Sequence, residues 1–354
     1  MTASSQASSQ FPQIAASCGI DYRSHPMESQ MQRGQPDQFV SSITKPDDFD
    51  DFWERVEQEL DEIPLDPEIV HVPERSTPEV DVFEIHYTSL GGLRIAGWYC
   101  TPKPEYIPGP YPGLAILPGY VSEPTLPKSW AKLGYAAVGV APRGKLRSNA
   151  QYNPGYPGLL IDRIIDKESY AYRGFYADAL RAIDFMRTRP EIAPERIGVH
   201  GGSQGGALSL VTSALRSDVV TCAALAAPYL TGFMDSAALT RSYPYEEMNE
   251  YMRLYPDRIG QMRETVSYFD CLNFAPRITA PMLIYIGLAD DVCPPETAYN
   301  LVERLTCDVT LHPNAGCGHE SGVYWEMANV EAFLASHLHP ATPALTETDT
   351  REDF

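Results

Sequence analysis

Residues 195–211 read Glu-Arg-Ile-Gly-Val-His-Gly-Gly-Ser-Gln-Gly-Gly-Ala-Leu-Ser-Leu-Val, and their reading decides the fold. A short apolar run, Ile197–Val199, enters Gly201-Gly202-Ser203-Gln204-Gly205, and a helical pattern follows at once. G-x-S-x-G alone is a weak signal. Between a buried strand and a helix it describes a nucleophile elbow, where a sharp turn holds the serine in a strained conformation. Gly201, Gly205 and Gly206 would let strand and helix approach closely. A phosphate-binding turn at a helix N-terminus is the alternative, but neither G-K-[ST] nor G-x-G-x-x-G fits here.

The 354 residues suffice for a large core. A formal net charge of −20 excludes nucleic acid and anionic membrane surfaces as expected partners. Seven cysteines, an odd number without a C-x-x-C pair, point to a reducing compartment. The N-terminus lacks a basic region followed by an apolar one, and no apolar run is long enough to span a bilayer. A soluble, cytoplasmic protein is expected.

Outward from the elbow the chain divides into three parts. Residues 1–41, rich in Ser, Gln and Pro, read as an extension that is disordered or packed on a neighbour. Residues 42–339 read as a single domain, and 340–354 as a disordered acidic tail. Phe49, Phe52, Trp53, Val56 and Leu60 fall at helical spacing. Residues 82–88 and 93–99 flank Gly91-Gly92, which predicts an antiparallel hairpin. From residue 111 strands and helices alternate. Strands are expected at 113–117, 136–140, 197–199, 221–225, 282–286 and 309–311, mostly apolar runs suited to burial on both faces. Helical stripes fall at Tyr172–Met186, Ala298–Leu305 and Val323–Leu334. The expectation is an α/β fold: a mostly parallel sheet with helices on both faces and right-handed crossovers. Residues 145–169 read as a long loop. Residues 228–270 read as an inserted helical segment rich in Tyr and holding four of the ten Met, either a lid or subunit-contact surface or simply packed helices.

A serine hydroxyl needs a base to take its proton and a third group to orient that base. In α/β hydrolases these follow the serine in the order carboxylate, then histidine, on loops after strands. The strand at 282–286 leads into Gly287-Leu288-Ala289-Asp290-Asp291, and the strand at 309–311 into Pro313-Asn314-Ala315-Gly316-Cys317-Gly318-His319-Glu320. Ser203 would attack, His319 would act as base then acid, and the carboxylate would fix the histidine tautomer. Loop position and glycine neighbours favour His319 over His312 and His200. Spacing alone does not separate Asp290 from Asp291, and either could cap the helix near Pro294-Pro295. His319-Glu320 is not followed by a second histidine in H-E-x-x-H spacing, so no metal is expected. Backbone N–H groups of Gln204, directly after the serine, and of Tyr120, in Pro118-Gly119-Tyr120-Val121, are the expected oxyanion donors.

These residues and their surroundings resemble the acetyl xylan esterase and cephalosporin C deacetylase family, carbohydrate esterase family seven. The similar stretches include Gly201-Gly202-Ser203-Gln204-Gly205-Gly206, Ser267-Tyr268-Phe269-Asp270 with Asn273, Asp290 with Cys293-Pro294-Pro295, and His319-Glu320. The resemblance spans roughly residues 42–338. It implies an α/β-hydrolase fold and no metal or organic cofactor. By the resemblance Asp290 is the triad acid, because it stands three before Cys293. The resemblance also implies a small acylated substrate, most often acetylated, and a homo-oligomer, hexamer or trimer. Two loops depart from the family pattern. Arg143-Gly144-Lys145 replaces Arg-Gly-Gln, and Val121-Ser122-Glu123-Pro124 replaces a glycine-rich continuation. Both should face the acyl-binding end; Arg143, Lys145 and Pro228 are the candidate pocket residues. A serine carboxylesterase follows, with a peptidase or amidase of similar fold and an inactive binding relative as rivals.

Overall fold

The computed structural model describes residues 35–342; the expectations for residues 1–34 and 343–354 lie outside them. Among the described residues nine strands form one sheet: β1 (Glu68–His71), β2 (Val80–Thr88), β3 (Arg94–Pro102), β4 (Tyr111–Leu117), β5 (Ala136–Ala141), β6 (Ile192–Gly202), β7 (Val220–Ala226), β8 (Met282–Gly287) and β9 (Val309–Asn314). Their order is β1-β2-β3-β5-β4-β6-β7-β8-β9. The pairings from β1 to β3 and on to β5 are antiparallel, and those from β5 to β9 are parallel. This is the expected mostly parallel sheet with its N-terminal hairpin. The hairpin pairs Val82 with Cys100 and Thr88 with Arg94. β1 was not legible, because Glu-Ile-Val-His at the exposed edge carries no apolar alternation. β6 is longer than its apolar run, because its first residues pair with Tyr111 and Pro112 across a register shift.

The helices are α1 (Phe49–Asp61), α2 (Lys128–Lys132), α3 (Ala171–Arg187), α4 (Gln204–Leu215), α5 (Phe233–Leu239), α6 (Tyr245–Leu254), α7 (Ile259–Ser267), α8 (Cys271–Phe274), α9 (Pro295–Arg304) and α10 (Val323–Leu338). Every residue of α4 is buried, so the helix that leaves the elbow is packed on all sides. α1 buries the predicted stripe, and the Trp53 indole donates to the Tyr268 carbonyl at 2.8 Å. No helix among the described residues is long and apolar enough to cross a membrane.

The 228–270 insertion folds into α5, α6 and α7. Met234, Met248, Met262, Tyr229 and Tyr245 are buried, so most of its Met and Tyr content packs inward. Asp270 ties both ends together. Its carboxylate accepts from Gly232 N (2.9 Å), Phe233 N (2.7 Å) and Leu272 N (3.0 Å). Burial pushes that carboxyl up to about 6, against the pull of the three amides. Residues 39–42 are pinned to the same region. Asn300 on α9 accepts from Ser41 N and donates to the Phe39 carbonyl, and Asp235 on α5 accepts from Ser42 N at 2.9 Å.

Candidate active site

The chain enters the site where β6 ends. Ser203 has φ 57° and ψ −120°, a left-handed region that non-glycine residues occupy at a cost of about 1–3 kcal/mol. The surroundings enforce it. Ser203 N donates to the Ala226 carbonyl (2.8 Å), and the Ser203 carbonyl accepts from Ala207 N and Tyr229 N at 3.1 Å each. Gly205 is required by a close approach: a Cβ there would stand 2.0 Å from the Leu117 carbonyl oxygen. The hydroxyl is thereby presented at the carboxyl end of the sheet, between β4 and β7.

The loops after β8 and β9 supply the other groups. Asp290 is buried; its Oδ1 accepts from Val292 N (2.8 Å) and Cys293 N (2.9 Å), and its Oδ2 lies 2.9 Å from His319 Nδ1. Two backbone bonds clamp the loops together, Leu288 N to the Asn314 carbonyl (3.0 Å) and Ala289 N to the Cys317 carbonyl (2.8 Å). At Gly287 a Cβ would come within 2.0 Å of the Gly318 carbonyl oxygen, so only glycine lets the His319 loop cross the end of β8. A carboxylate facing Nδ1 places the ring proton there and leaves Nε2 free to act as a base. Ser203 and His319 both line one cavity of about 400 Å³.

The rival residues are engaged elsewhere. Asp291 bonds Ser242 Oγ through its carboxylate at 3.3 Å, and its carbonyl accepts from the Thr240 hydroxyl. His312 Nδ1 pairs with Glu326 at 2.8 Å. His200 donates Nδ1–H to the Ala224 carbonyl at 2.9 Å, and burial holds its pKa below the ordinary histidine value.

The Gly119–Ser122 loop, Tyr156-Pro157, Val292, and Tyr243, Pro244 and Glu247 from the insertion wall the cavity. Tyr120 lies in this wall and Gln204 opens α4 directly after the nucleophile. The Tyr120 hydroxyl donates to Glu247 Oε1 (2.7 Å) and accepts from Leu160 N (2.9 Å), while Glu247 Oε2 accepts from Gly158 N (2.9 Å). Burial raises the Glu247 carboxyl above the ordinary range, against those hydrogen bonds. The Gln204 side chain points away from the cavity role: its amide donates to the Tyr172 hydroxyl at 2.8 Å.

None of the three expected pocket residues lines the cavity. Arg143 is drawn instead to the buried Asp178 on α3, bonding it through N, Nε and Nη2 at 2.8–2.9 Å, with Nη2 also on the Leu90 carbonyl. Lys145 lies behind the cavity wall, where Nζ donates to the carbonyls of Gly119 (2.7 Å) and Tyr120. Pro228 backs the start of α4, its Cα 3.2 Å from where a Cβ on Gly206 would fall. Glu247, Tyr156, Tyr243 and Val292 were missed. A glutamate on an amphipathic helix carries no signal of a buried partner 127 residues away.

Among the described residues, Asp290, Cys293 and His319 bring possible metal-ligand atoms within 4.8 Å of one another. A cation there would compete with the His319–Asp290 hydrogen bond. The Cys293 thiol meets the Ser203 hydroxyl, and burial pushes its pKa well up, so it sits there as a neutral group.

A doubly wound sheet with a serine at a strand-to-helix elbow after β6, and an Asp–His pair on the loops after β8 and β9, defines an α/β hydrolase. More narrowly, the chain belongs to the acetyl xylan esterase family, whose model matches residues 31–337. It is 30% identical over 279 residues to the acetyl esterase Axe7A of Xylanibacter ruminicola, an alignment covering 74% of this chain and 60% of that protein. An uncharacterized peptidase of Bacillus subtilis, YuxL, is 27% identical over 286 residues, with 38% of its length covered. The chain therefore spans less than two thirds of either of these curated relatives. Among solved structures, an acetyl xylan esterase from a Paenibacillus species matches with a TM-score of 0.79 and 33% identity, covering 86% of this chain and 99% of that one. An acetyl xylan esterase from a Thermoanaerobacterium species shares the fold at 24% identity and a TM-score of 0.76.

Proposed function

We propose that this chain is a serine carboxylesterase that removes short acyl groups, acetyl foremost, from sugars and related small alcohols, cephalosporin-type acetates included. The observation that carries the reading is the 2.9 Å contact of His319 Nδ1 with Asp290 beside the cavity that His319 shares with Ser203. Ser203 attacks the ester carbonyl while His319 Nε2 takes the hydroxyl proton and Asp290 stabilises the imidazolium. The oxyanion forms toward the backbone N–H groups of Tyr120 and Gln204, each donor contributing about 3 kcal/mol. His319 returns the proton to the departing alcohol, and water then releases the acid from acyl-Ser203. A cavity of about 400 Å³ suits a small acyl group with a small alcohol.

Likeness to the YuxL peptidase keeps an amidase reading alive; that protein is matched over 38% of its length. We also propose a cytoplasmic location, supported by the six free cysteines among the described residues, and a homo-oligomer, which the family resemblance supports. Solution mass tests the assembly. Ser203→Ala tests the chemistry: p-nitrophenyl acetate hydrolysis should fall by about 10⁶-fold in kcat with the circular dichroism spectrum unchanged. Activity retained in that variant, or peptide amides cleaved faster than acetates by the wild type, would refute the esterase reading.

A further inference from the structure

Lys145 is a buried amine outside the serine–histidine–aspartate set, and its place in the fold is specific. It stands where the resembling family carries glutamine, in the turn after β5. Its Nζ donates to the Gly119 carbonyl at 2.7 Å and to the Tyr120 carbonyl, and lies 4.9 Å from the ring centre of Tyr156 in the cavity wall. The turn that carries it is fixed by Lys145 N to the Pro142 carbonyl (3.1 Å) and Ser148 N to the Lys145 carbonyl (2.8 Å).

The Gly119 carbonyl and the Tyr120 N–H belong to one peptide group. That peptide is trans, so the two bonds point in opposite directions in one rigid plane. An ammonium that holds the carbonyl from behind therefore aims the N–H forward, toward the cavity that Gly119, Tyr120 and Ser203 line. The second bond, to the Tyr120 carbonyl, anchors the next peptide, so the peptides on both sides of the Tyr120 Cα are held by one amine. A cation on the carbonyl also polarises the peptide, which strengthens its N–H as a donor. We propose that Lys145 is a positioning residue for this esterase, setting the direction and strength of the Tyr120 oxyanion donor through its two carbonyl contacts. The proposal rests on the esterase reading above.

The charges around the amine are few. Glu123, on the same loop as Tyr120, is the acidic group that favours its protonated form, and its carboxylate is tied to Leu146 N at 2.5 Å. Arg143 and Arg147 flank it in sequence but are paired with Asp178 and Glu84. Glu247 on α6 is spent on Tyr120 Oη and Gly158 N. The Tyr120 and Tyr156 phenols stay neutral, raised by burial. Burial accordingly dominates at Lys145 and lowers its pKa to about 7. Deprotonation leaves two N–H donors but removes the charge, so the oxyanion donor weakens as pH rises through that value.

The test is steady-state kinetics of Lys145→Met and Lys145→Gln on p-nitrophenyl acetate from pH 5.5 to 9, with thermal melts and Ser203→Ala alongside. Losing one oxyanion donor costs about 10²–10³ in kcat, and a misaimed donor less, so Lys145→Met should lose about 10–100-fold in kcat. Its KM should stay within about twofold. Its Tm should fall, because the Gly119 and Tyr120 carbonyls lose their donor at a cost of about 1–3 kcal/mol, so kcat is read on the folded fraction. Lys145→Gln should recover part of kcat and lack the alkaline decline of the wild type. A merely structural lysine would lower Tm as well but leave kcat of the folded enzyme unchanged. The proposal is overturned by a Lys145→Met kcat within twofold of wild type or a loss confined to KM. If Lys145→Met does not fold, a folded Lys145→Gln with the wild-type kcat and alkaline limb overturns it equally. Inactive Ser203→Ala beside fully active Lys145→Met defeats this inference alone; active Ser203→Ala defeats the esterase reading itself.

Discussion

The two sides of the cavity are built by different rules. On one side, Ser203, Asp290 and His319 each stand within a few residues of a strand end, and each is fixed by its own turn. On the other, the wall draws on residues 119–122, 156–157, 243–247 and 292, segments joined only by the tertiary fold. The first side depends on backbone that has one way to go. The second depends on side chains that could be exchanged without moving the backbone. Chemistry should therefore be brittle to substitution on the triad side, and selectivity soft to substitution on the wall.

The largest effect expected on that contrast comes from Asp290→Asn. An asparagine would keep its oxygen toward Val292 N and Cys293 N and turn its NH₂ toward His319 Nδ1, forcing the wrong tautomer. kcat on p-nitrophenyl acetate should fall by about 10⁴-fold. Asp291→Asn, whose carboxylate accepts from Ser242 Oγ, should leave kcat within about twofold of wild type. Comparable losses in both would break the assignment of the acid.

This asymmetry also explains what could be read in advance. Ser203 was legible because a nucleophile elbow needs small residues at fixed offsets, and Gly205 meets the Leu117 carbonyl as that geometry demands. His319 was legible from the glycines around it. The wall was not. Arg143 was assigned to the pocket by the family resemblance, whereas its partner Asp178 hides in a helix that otherwise reads as a Tyr and Leu stripe. Lys145 was assigned to the pocket because it replaces the resembling family's glutamine, although it lies outside the cavity lining and holds the Gly119 carbonyl. The parallel strands were legible from apolar runs, and β1 was not, because an exposed edge strand needs none.

An intermediate effect is expected where backbone, rather than a catalytic group, is changed. In Gly287→Ala the new Cβ would meet the Gly318 and Cys317 carbonyl oxygens at 2.0 and 2.5 Å, and neither is the end of a flexible side chain. The His319 loop must shift. A displacement of about 1 Å costs on the order of 10²-fold in rate, and the overpacking about 1–3 kcal/mol in stability. Kinetics and a urea melt measure the two separately. Full activity with a stable fold would show that the β8–β9 crossing tolerates a side chain and that the triad side is not brittle there.

The smallest effect is expected on the wall, in Glu247→Gln. The carboxylate accepts from the Tyr120 hydroxyl and from Gly158 N, and the hydroxyl already accepts from Leu160 N. Glutamine offers one acceptor oxygen and one NH₂, so one of the two donors faces a donor, at a cost of about 1–3 kcal/mol. The triad is untouched, so kcat should change by less than about tenfold, with the shift appearing in KM and in the ratio of acetate to butyrate hydrolysis. The cost should also depend on pH. Burial raises the Glu247 carboxyl above its unfolded value, so its stabilising contribution is complete below the ordinary glutamate range and is lost as pH rises through the folded value. Glutamine has no such dependence. The gap in Tm between wild type and Glu247→Gln should therefore be wider at pH 4 than at pH 8. A gap that widens toward alkaline pH would mean that the ionised carboxylate is the favoured form, and that the Tyr120 and Gly158 hydrogen bonds outweigh the burial that opposes it.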